Sequence, residues 1–342
     1  MRDMSSTDPA ERLLRRQHVI SEPGGVGPGH WAGAPGVAYS RAEKAFYLTY
    51  RIRRPRGVSP DRGAEARIAR SNDLKGFEDI WSATKDRYDS VSIERSAIKQ
   101  GRDGAWRYFT SFVDPVDGRW CVSVSRDSDP RRFDPSSAQR LFTAAPLGLE
   151  GVKDPWIFED DGTYYMLLSV ATPTPRTREE SHATLDIFNT GECVSASALA
   201  RSQDLDAWEW LGVVFAPSTS GWDSYCRRIN SIVRHGGRYV AFYDGSASHL
   251  ENYEEKTGVA VSRDLRSWQT LTANGPALTS PHGSGSLRYL DAVAVEDEVW
   301  AFYEIARADG AHDLRVAQMD VDQLLGALRP DAAPSDGGNL RV

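Results

Sequence analysis

Acidic and basic side chains stand at similar distances around five aromatic-rich runs of this sequence. Asp154, Asp244, Asp114 and Glu304 are the acids, and Arg51, Arg95, Arg228 and Arg288 are the cations. An arginine beside a carboxylate keeps it ionised, whereas burial lets it hold its proton. Carboxylates tuned apart in this way divide base and acid work between them. A guanidinium also binds carboxylate, phosphate or sulfate groups through two parallel hydrogen bonds. Such chemistry needs elements that bring distant residues together.

Those elements are legible as a repeat. The runs 46–50, 107–111, 164–168, 238–242 and 299–303 are aromatic or apolar and bounded by turn residues, so each reads as a strand. Anchored on Tyr47, Tyr108, Tyr165, Tyr239 and Trp300, they are spaced by 61, 57, 74 and 61 residues. A second strand follows each anchor, at 66–71, 121–125, 196–202, 259–262 and 314–318, and a third apolar strand precedes it. Four of the second strands end in Ser-x-Asp or Ser-x-Asp-Leu, whose side chains close turns on backbone amides. Five antiparallel units of about sixty residues predict an all-β chain, a five-bladed β-propeller over 30–320. A linear solenoid would show a tighter period and polar capping repeats. Residues 1–29 read as an N-terminal segment or linker, and 321–342 as a short helix and a disordered tail. The long interval holds an insertion at 171–192, rich in Thr, Pro and charge, that reads as a loop over one face.

Propeller geometry then predicts a mouth. The start of each inner strand and the end of the next strand meet at one end of the axial tunnel. The inner set is Ala34, Arg95, Asp154, Arg228 and the Arg288–Tyr289 pair. The outer set is Arg51, Asp114, Ser169, Asp244 and Glu304. Glu94 adjoins Arg95 and joins the candidates, and Trp31 edges the pocket. A charge facing a narrow tunnel must be paired, solvated or functional. The plain alternative to a site is an ion-pair network that neutralises itself around the axis.

Composition narrows the function. The 342 residues carry a net charge of −7, with 41 cations split into 6 Lys and 35 Arg. No basic field suited to nucleic acid is expected. The N-terminal stretch has no apolar core of signal-peptide length, and no window is apolar enough for a transmembrane helix, so no membrane partner is expected. Cys121, Cys193 and Cys226 are odd in number and far apart, which reads as reduced thiols in a cytoplasmic protein. The seven His show no metal-ligand spacing, so no metal is predicted. No cofactor motif is present. Gly283-Ser284-Gly285-Ser286 lacks the context of a serine nucleophile.

Val152-Lys153-Asp154-Pro155-Trp156-Ile157-Phe158, followed by Asp160-Asp161-Gly162-Thr163-Tyr164-Tyr165, resembles a blade of the arabinanase, β-xylosidase and invertase group, glycoside hydrolase family 43 and its relatives. The resemblance implies three carboxylates: an Asp on the first blade as base or nucleophile, a middle-blade Asp that binds sugar hydroxyls, and a Glu as general acid. Asp154 matches the middle Asp. The first falls on Ala34 and the Glu falls near Arg227–Arg228, so two of the three are missing.

Three functions follow. The first is a glycoside-hydrolase-like enzyme with a non-standard acid/base set, acting on an anionic sugar or sugar-bearing metabolite. Asp154 binds or activates the sugar, Asp244 or Glu304 supplies the proton, and Glu94 stands in reserve. Arg51, Arg95, Arg228, Arg288, Trp31 and Asp114 bind substrate. The second is a lyase, isomerase or phosphorylase on the same scaffold. The third is a non-catalytic sugar-binding propeller.

Overall fold

The computed structural model describes residues 14–328. The chain first lays down β1 (Leu14–Ser21), then builds four-stranded antiparallel blades in order. Blade 1 is β2 (Trp31–Ser40), β3 (Ala45–Arg54), β4 (Arg62–Ser71) and β5 (Glu78–Thr84). Blade 2 is β6 (Ile93–Gln100), β7 (Trp106–Val113), β8 (Trp120–Asp127) and β9 (Gln139–Phe142). Blade 3 is β10 (Gly151–Asp160), β11 (Thr163–Pro173), β12 (Cys193–Ser202) and β13 (Trp208–Phe215). Blade 4 is β14 (Cys226–His235), β15 (Arg238–Ser246), β16 (Lys256–Ser262) and β17 (Trp268–Thr270). Blade 5 is β18 (Leu287–Val295), β19 (Glu298–Ala306) and β20 (His312–Met319), and β1 pairs with β20 as its outer strand. The 1–29 segment, expected as a linker, therefore supplies the strand that closes the ring on blade 5. Closure removes an exposed sheet edge. Helix α1 (Val321–Ala327) follows, capped by the Asp320 carboxylate accepting from the Gln323 N–H at 2.9 Å. The expected tail beyond 328 lies outside the described residues.

Apolar side chains fill the five seams between blades. Val240, Phe242, Leu290 and Tyr303 pack between blades 4 and 5, and Phe109, Val122, Val152 and Met166 between blades 2 and 3. The alternating apolar positions of the aromatic runs supply these faces. The Ser-x-Asp-Leu turns repeat in detail. Ser71, Ser202 and Ser262 each accept the N–H of the Leu three residues on, at 3.0, 2.9 and 3.0 Å. Leu74, Leu205 and Leu265 take left-handed φ values of 63°, 70° and 64° and are buried.

One irregularity recurs in all five inner strands. Each carries a one-residue bulge, after Gly33, Ile93, Lys153, Ile229 and Arg288. Ala34, Asp154 and Tyr289 sit in these bulges with φ of 53°, 56° and 51°. Left-handed backbone is costly in non-glycine residues and concentrates at functional sites. Bulges re-aim side chains, here toward the axis.

Candidate active site

The bulges set the equivalences around the axis. Ala34, Glu94, Asp154 and Tyr289 occupy matching places at the start of the bulge in blades 1, 2, 3 and 5. Opposite them, β3, β11, β15 and β19 present Arg51, Ser169, Asp244 and Glu304. In blade 2 this place falls to Phe112, paired with Ile93. Asp114 lies two residues farther on, in the turn, where Arg140 of β9 holds it with an Nη2–Oδ1 contact of 2.7 Å. The expected substrate contact at Asp114 is replaced by an ion pair within its own blade.

Arg95 also departs from expectation. Its Nε donates to the Pro35 carbonyl at 2.6 Å, Nη1 to the Asn230 carbonyl at 2.9 Å and Nη2 to Asp291 at 3.2 Å. Asp291 further accepts from the Trp156 indole and the Val37 N–H, both at 2.8 Å. This pair touches all five blades and acts as an axial tie rather than a substrate ligand.

The remaining expected arginines converge, but not on empty space. Arg51 donates to Glu94 at 2.7 Å and lies 3.4 Å from Glu304. Arg288 grips Glu304 at 3.0 and 2.7 Å and Glu255 at 2.7 Å. Arg228 pairs with the other Glu255 oxygen. His312 bridges Glu304 at 2.8 Å and Glu254 at 3.0 Å. The Trp31 ring stacks on His312 at 4.8 Å and under the Arg288 guanidinium at 4.5 Å. These mixed charges pair with one another around the mouth. Glu254, Glu255 and His312 were missed because they lie just before or at the start of third strands, where no repeat or motif marks them.

Two carboxylates stand apart. Asp154 is 2% exposed, and neither carboxylate oxygen has a hydrogen-bond partner among the described residues. Its nearest cation, the Lys153 ammonium, is 3.7 Å away. Its backbone is fixed: the Asp154 N–H donates at 2.7 Å to Ser111 Oγ, which donates at 2.9 Å to the Arg95 carbonyl. Asp244 accepts the Tyr289 N–H at 3.0 Å through Oδ1, while Oδ2 has no partner. Burial and the nearby Glu255 charge raise Asp244 from 3.8 to about 7. Glu94 behaves oppositely: despite burial, Arg51, Lys153 and Arg53 hold it down at about 2. Glu304 is likewise held well below the ordinary range by Arg288 and Arg51, against its burial. Asp154, Glu94 and Arg228 all bear electrostatically on the Tyr289 phenol, so these groups share one locality. Among the described residues, no group of three or more His, Cys, Asp or Glu is arranged to hold a metal ion.

The insertion roofs this mouth. After β11 it forms two 3-10 turns, Glu179–Thr184 and Ile187–Asn189. From blade 3 it reaches blade 1, where Arg56 donates to Asp186 at 2.9 Å and Arg62 to the Leu185 carbonyl at 2.7 Å. It also reaches blade 4, where Tyr225 and Asn252 donate to the Phe188 carbonyl at 2.6 and 3.0 Å, and the Tyr253 hydroxyl binds Asp186. Between them it packs on the turn of blade 2, where Arg119 donates to Glu179 at 2.8 Å, so the segment links blades 1 to 4 at this end. Removing a buried acceptor of this kind costs about 1–3 kcal/mol, enough to raise local opening roughly tenfold. Asp186→Ala is therefore expected to speed tryptic cleavage at the exposed Arg176 and Arg178 about tenfold. An unchanged cleavage rate would show that Asp186 does not hold the segment.

No protein-family model matches the chain, and no curated protein sequence matches it. Solved structures do. A thermostable family-43 glycoside hydrolase superposes with a TM-score of 0.60 at 16% identity, over 88% of this chain and 91% of that one. β-1,2-mannobiose phosphorylase from Listeria innocua gives 0.59 at 14%, over 93% and 97%. The family-43 enzyme of Xanthomonas citri complexed with xylotriose gives 0.59 at 14%, over 91% and 92%. The chain has the five-bladed propeller fold shared by these carbohydrate-active enzymes. No helix among the described residues is long and apolar enough to cross a membrane.

Proposed function

We propose that this protein is a carbohydrate-active enzyme of the glycoside hydrolase type, with an acid/base set built on Asp154 and Asp244. The observation that carries the reading is Asp154. A buried carboxylate with no hydrogen bond to either oxygen and one long ion pair to Lys153, in a strained bulge on the axis, is a group left open to a ligand. The scaffold it stands on is the one on which the structural neighbours handle sugars.

The roles divide by environment. Asp244, raised to about 7, keeps a proton to give. Glu304 and Glu94 are held ionised and do not suit proton donation. Asp244 passes its proton to the glycosidic oxygen as the bond to the anomeric carbon breaks. Asp154 takes a proton from the water whose oxygen bonds that carbon. The substrate is a small sugar or sugar-bearing molecule. An anionic substrate was expected from Arg51, Arg95, Arg228 and Arg288. Those four are occupied by carboxylates and carbonyls, so they lend it no support. The three described thiols are free and buried, which suits the reducing cytoplasm.

With Asp244 as acid, kcat/KM falls tenfold per pH unit above about 7 on a glycoside with a poor leaving group. The pH profile of wild type against Asp244→Asn tests this. A profile flat through pH 8 would remove Asp244 from the role. Phosphorolysis is the second reading, because the fold also matches a disaccharide phosphorylase. Incorporation of oxygen from labelled water, or a requirement for phosphate, separates the two.

A further inference from the structure

Blade 1 carries cations that the ion-pair network does not satisfy. The Arg53 guanidinium packs against two aromatic rings, 4.3 Å from Trp31 and 4.8 Å from Tyr253. It is 6% exposed, yet it makes no hydrogen bond and no ion pair with any described residue. The two rings meet at a corner, with centroids 5.7 Å apart, and the guanidinium sits in that corner. Arg62, 4% exposed, gives one hydrogen bond to the Leu185 carbonyl and is 4.0 Å from Asp186. Arg56 pairs with the same Asp186 from a half-exposed position. Three guanidinium groups thus gather round Tyr253 with one carboxylate in contact, and Glu94 adds its field from the axial side.

Such an arrangement suits a ligand. A largely buried guanidinium with few protein acceptors keeps only the little water that reaches its donors, and an anion can displace that water. Burial accordingly lowers both Arg53 and Arg62, and the surrounding carboxylates do not offset it. Arg62 is also held at a φ of 61°, a strained value for an arginine. The flanking Gly63 accepts no side chain, since a Cβ there would lie 1.6 Å from the Ile93 carbonyl oxygen. Backbone and stacking both aim these groups, while neither gives them a partner.

We propose that Arg53 and Arg62, beneath the roofing insertion, form a subsite for an oxyanion, either a carboxylate or phosphate group carried by the sugar or a free phosphate ion. A guanidinium without a protein partner can give two parallel hydrogen bonds, the geometry that a carboxylate or phosphate accepts. Trp31 and Tyr253 keep the Arg53 guanidinium fixed, so little ordering entropy is lost on binding. The subsite lies on the rim between blade 1 and the insertion. Asp154 and Asp244 belong to blades 3 and 4. The inference rests on the sugar-enzyme reading for its biological meaning, but its binding test does not.

The test is calorimetric titration of the full chain with sodium phosphate, D-glucuronate and D-glucose. Wild type is expected to bind phosphate or glucuronate, and Arg53→Met and Arg62→Met to lose at least tenfold in that affinity. Glucuronate binding alone assigns the group to the sugar. Binding of phosphate alone assigns it to a phosphate. Circular dichroism checks that each variant folds. Should Arg53→Met unfold, Arg53→Lys, which keeps the charge and loses the fork, takes its place. Failure of both anions to bind, or equal affinity in the variants, overturns the subsite. Asp154→Asn run in parallel separates the two claims. Anion binding should survive that change, whereas turnover should not.

Discussion

Asp154→Asn is expected to lower turnover by roughly 10³-fold while leaving the protein about as stable as before. The two halves of this result have one cause. Asp154 is buried, and neither carboxylate oxygen is hydrogen-bonded within the described structure. A structural carboxylate would be tied into the fold, and its loss would destabilise. Here the carboxylate makes no hydrogen bond and its ion pair with Lys153 is long, at 3.7 Å, so an amide of the same shape is expected to change stability by less than about 1 kcal/mol. The Asp154 amide still donates to Ser111, so the bulge itself is kept. Kinetics on an activated aryl glycoside together with urea unfolding checks the pair of outcomes. Unchanged turnover, or a loss of stability matching the loss of activity, would make Asp154 a structural residue.

Glu304→Gln is expected to do the reverse. Glu304 accepts two hydrogen bonds from Arg288, one from His312 and one at 3.1 Å from the Ala34 N–H, with Arg51 close by. Removing its charge leaves buried cations without their counter-ion, at a cost of about 3–5 kcal/mol. That is a large share of the stability of a folded domain. Acid should erase the difference. A carboxylate whose folded-state pKa is depressed contributes stability above its unfolded value and loses it as pH falls toward the folded one. For Glu94, in the same network, this window runs from 4.5 down to about 2. Glu304 is depressed in the same direction by the same arginines. Urea unfolding at pH 7 and at pH 3 should therefore show a large gap between wild type and variant that narrows on acidification. A gap below about 0.5 kcal/mol at pH 7 would mean that the network is screened by water and carries little stability.

The two predictions separate what the axis uses for folding from what it leaves for chemistry. The distinction was only partly visible beforehand. Strand repetition placed Asp154, Asp244, Glu304 and Arg288 at one end of the tunnel, because side-chain direction along a strand follows from counting by two. The same counting failed by one residue at Arg95, because the hairpin after β6 runs through five residues, 101–105, where those of blades 3 and 5 have two, so the matching residue lies farther from its anchor. Glu94 therefore takes the place matching Asp154, and Arg95 turns into the axial tie. In the blade 2 turn, Asp114 missed its place for a related reason: the strand pairing puts Phe112 there.

The amino-acid order was enough for the class of the fold. Periodic aromatic strands, Ser-x-Asp-Leu turns and intervals near sixty residues leave few architectures that can bury them. It also singled out Asp154, through the local motif around it. Charge pairing lay beyond its reach. Whether an arginine is free for substrate depends on carboxylates far along the chain, and Glu255 meets Arg288 only after blades 4 and 5 have packed side by side. Closure of blade 5 by β1 and the roof formed by the insertion are long-range events of the same kind. Local sequence sets strand and turn preferences at short range. Which buried charges are satisfied, and which are left to act, is decided only when the five blades close on one axis.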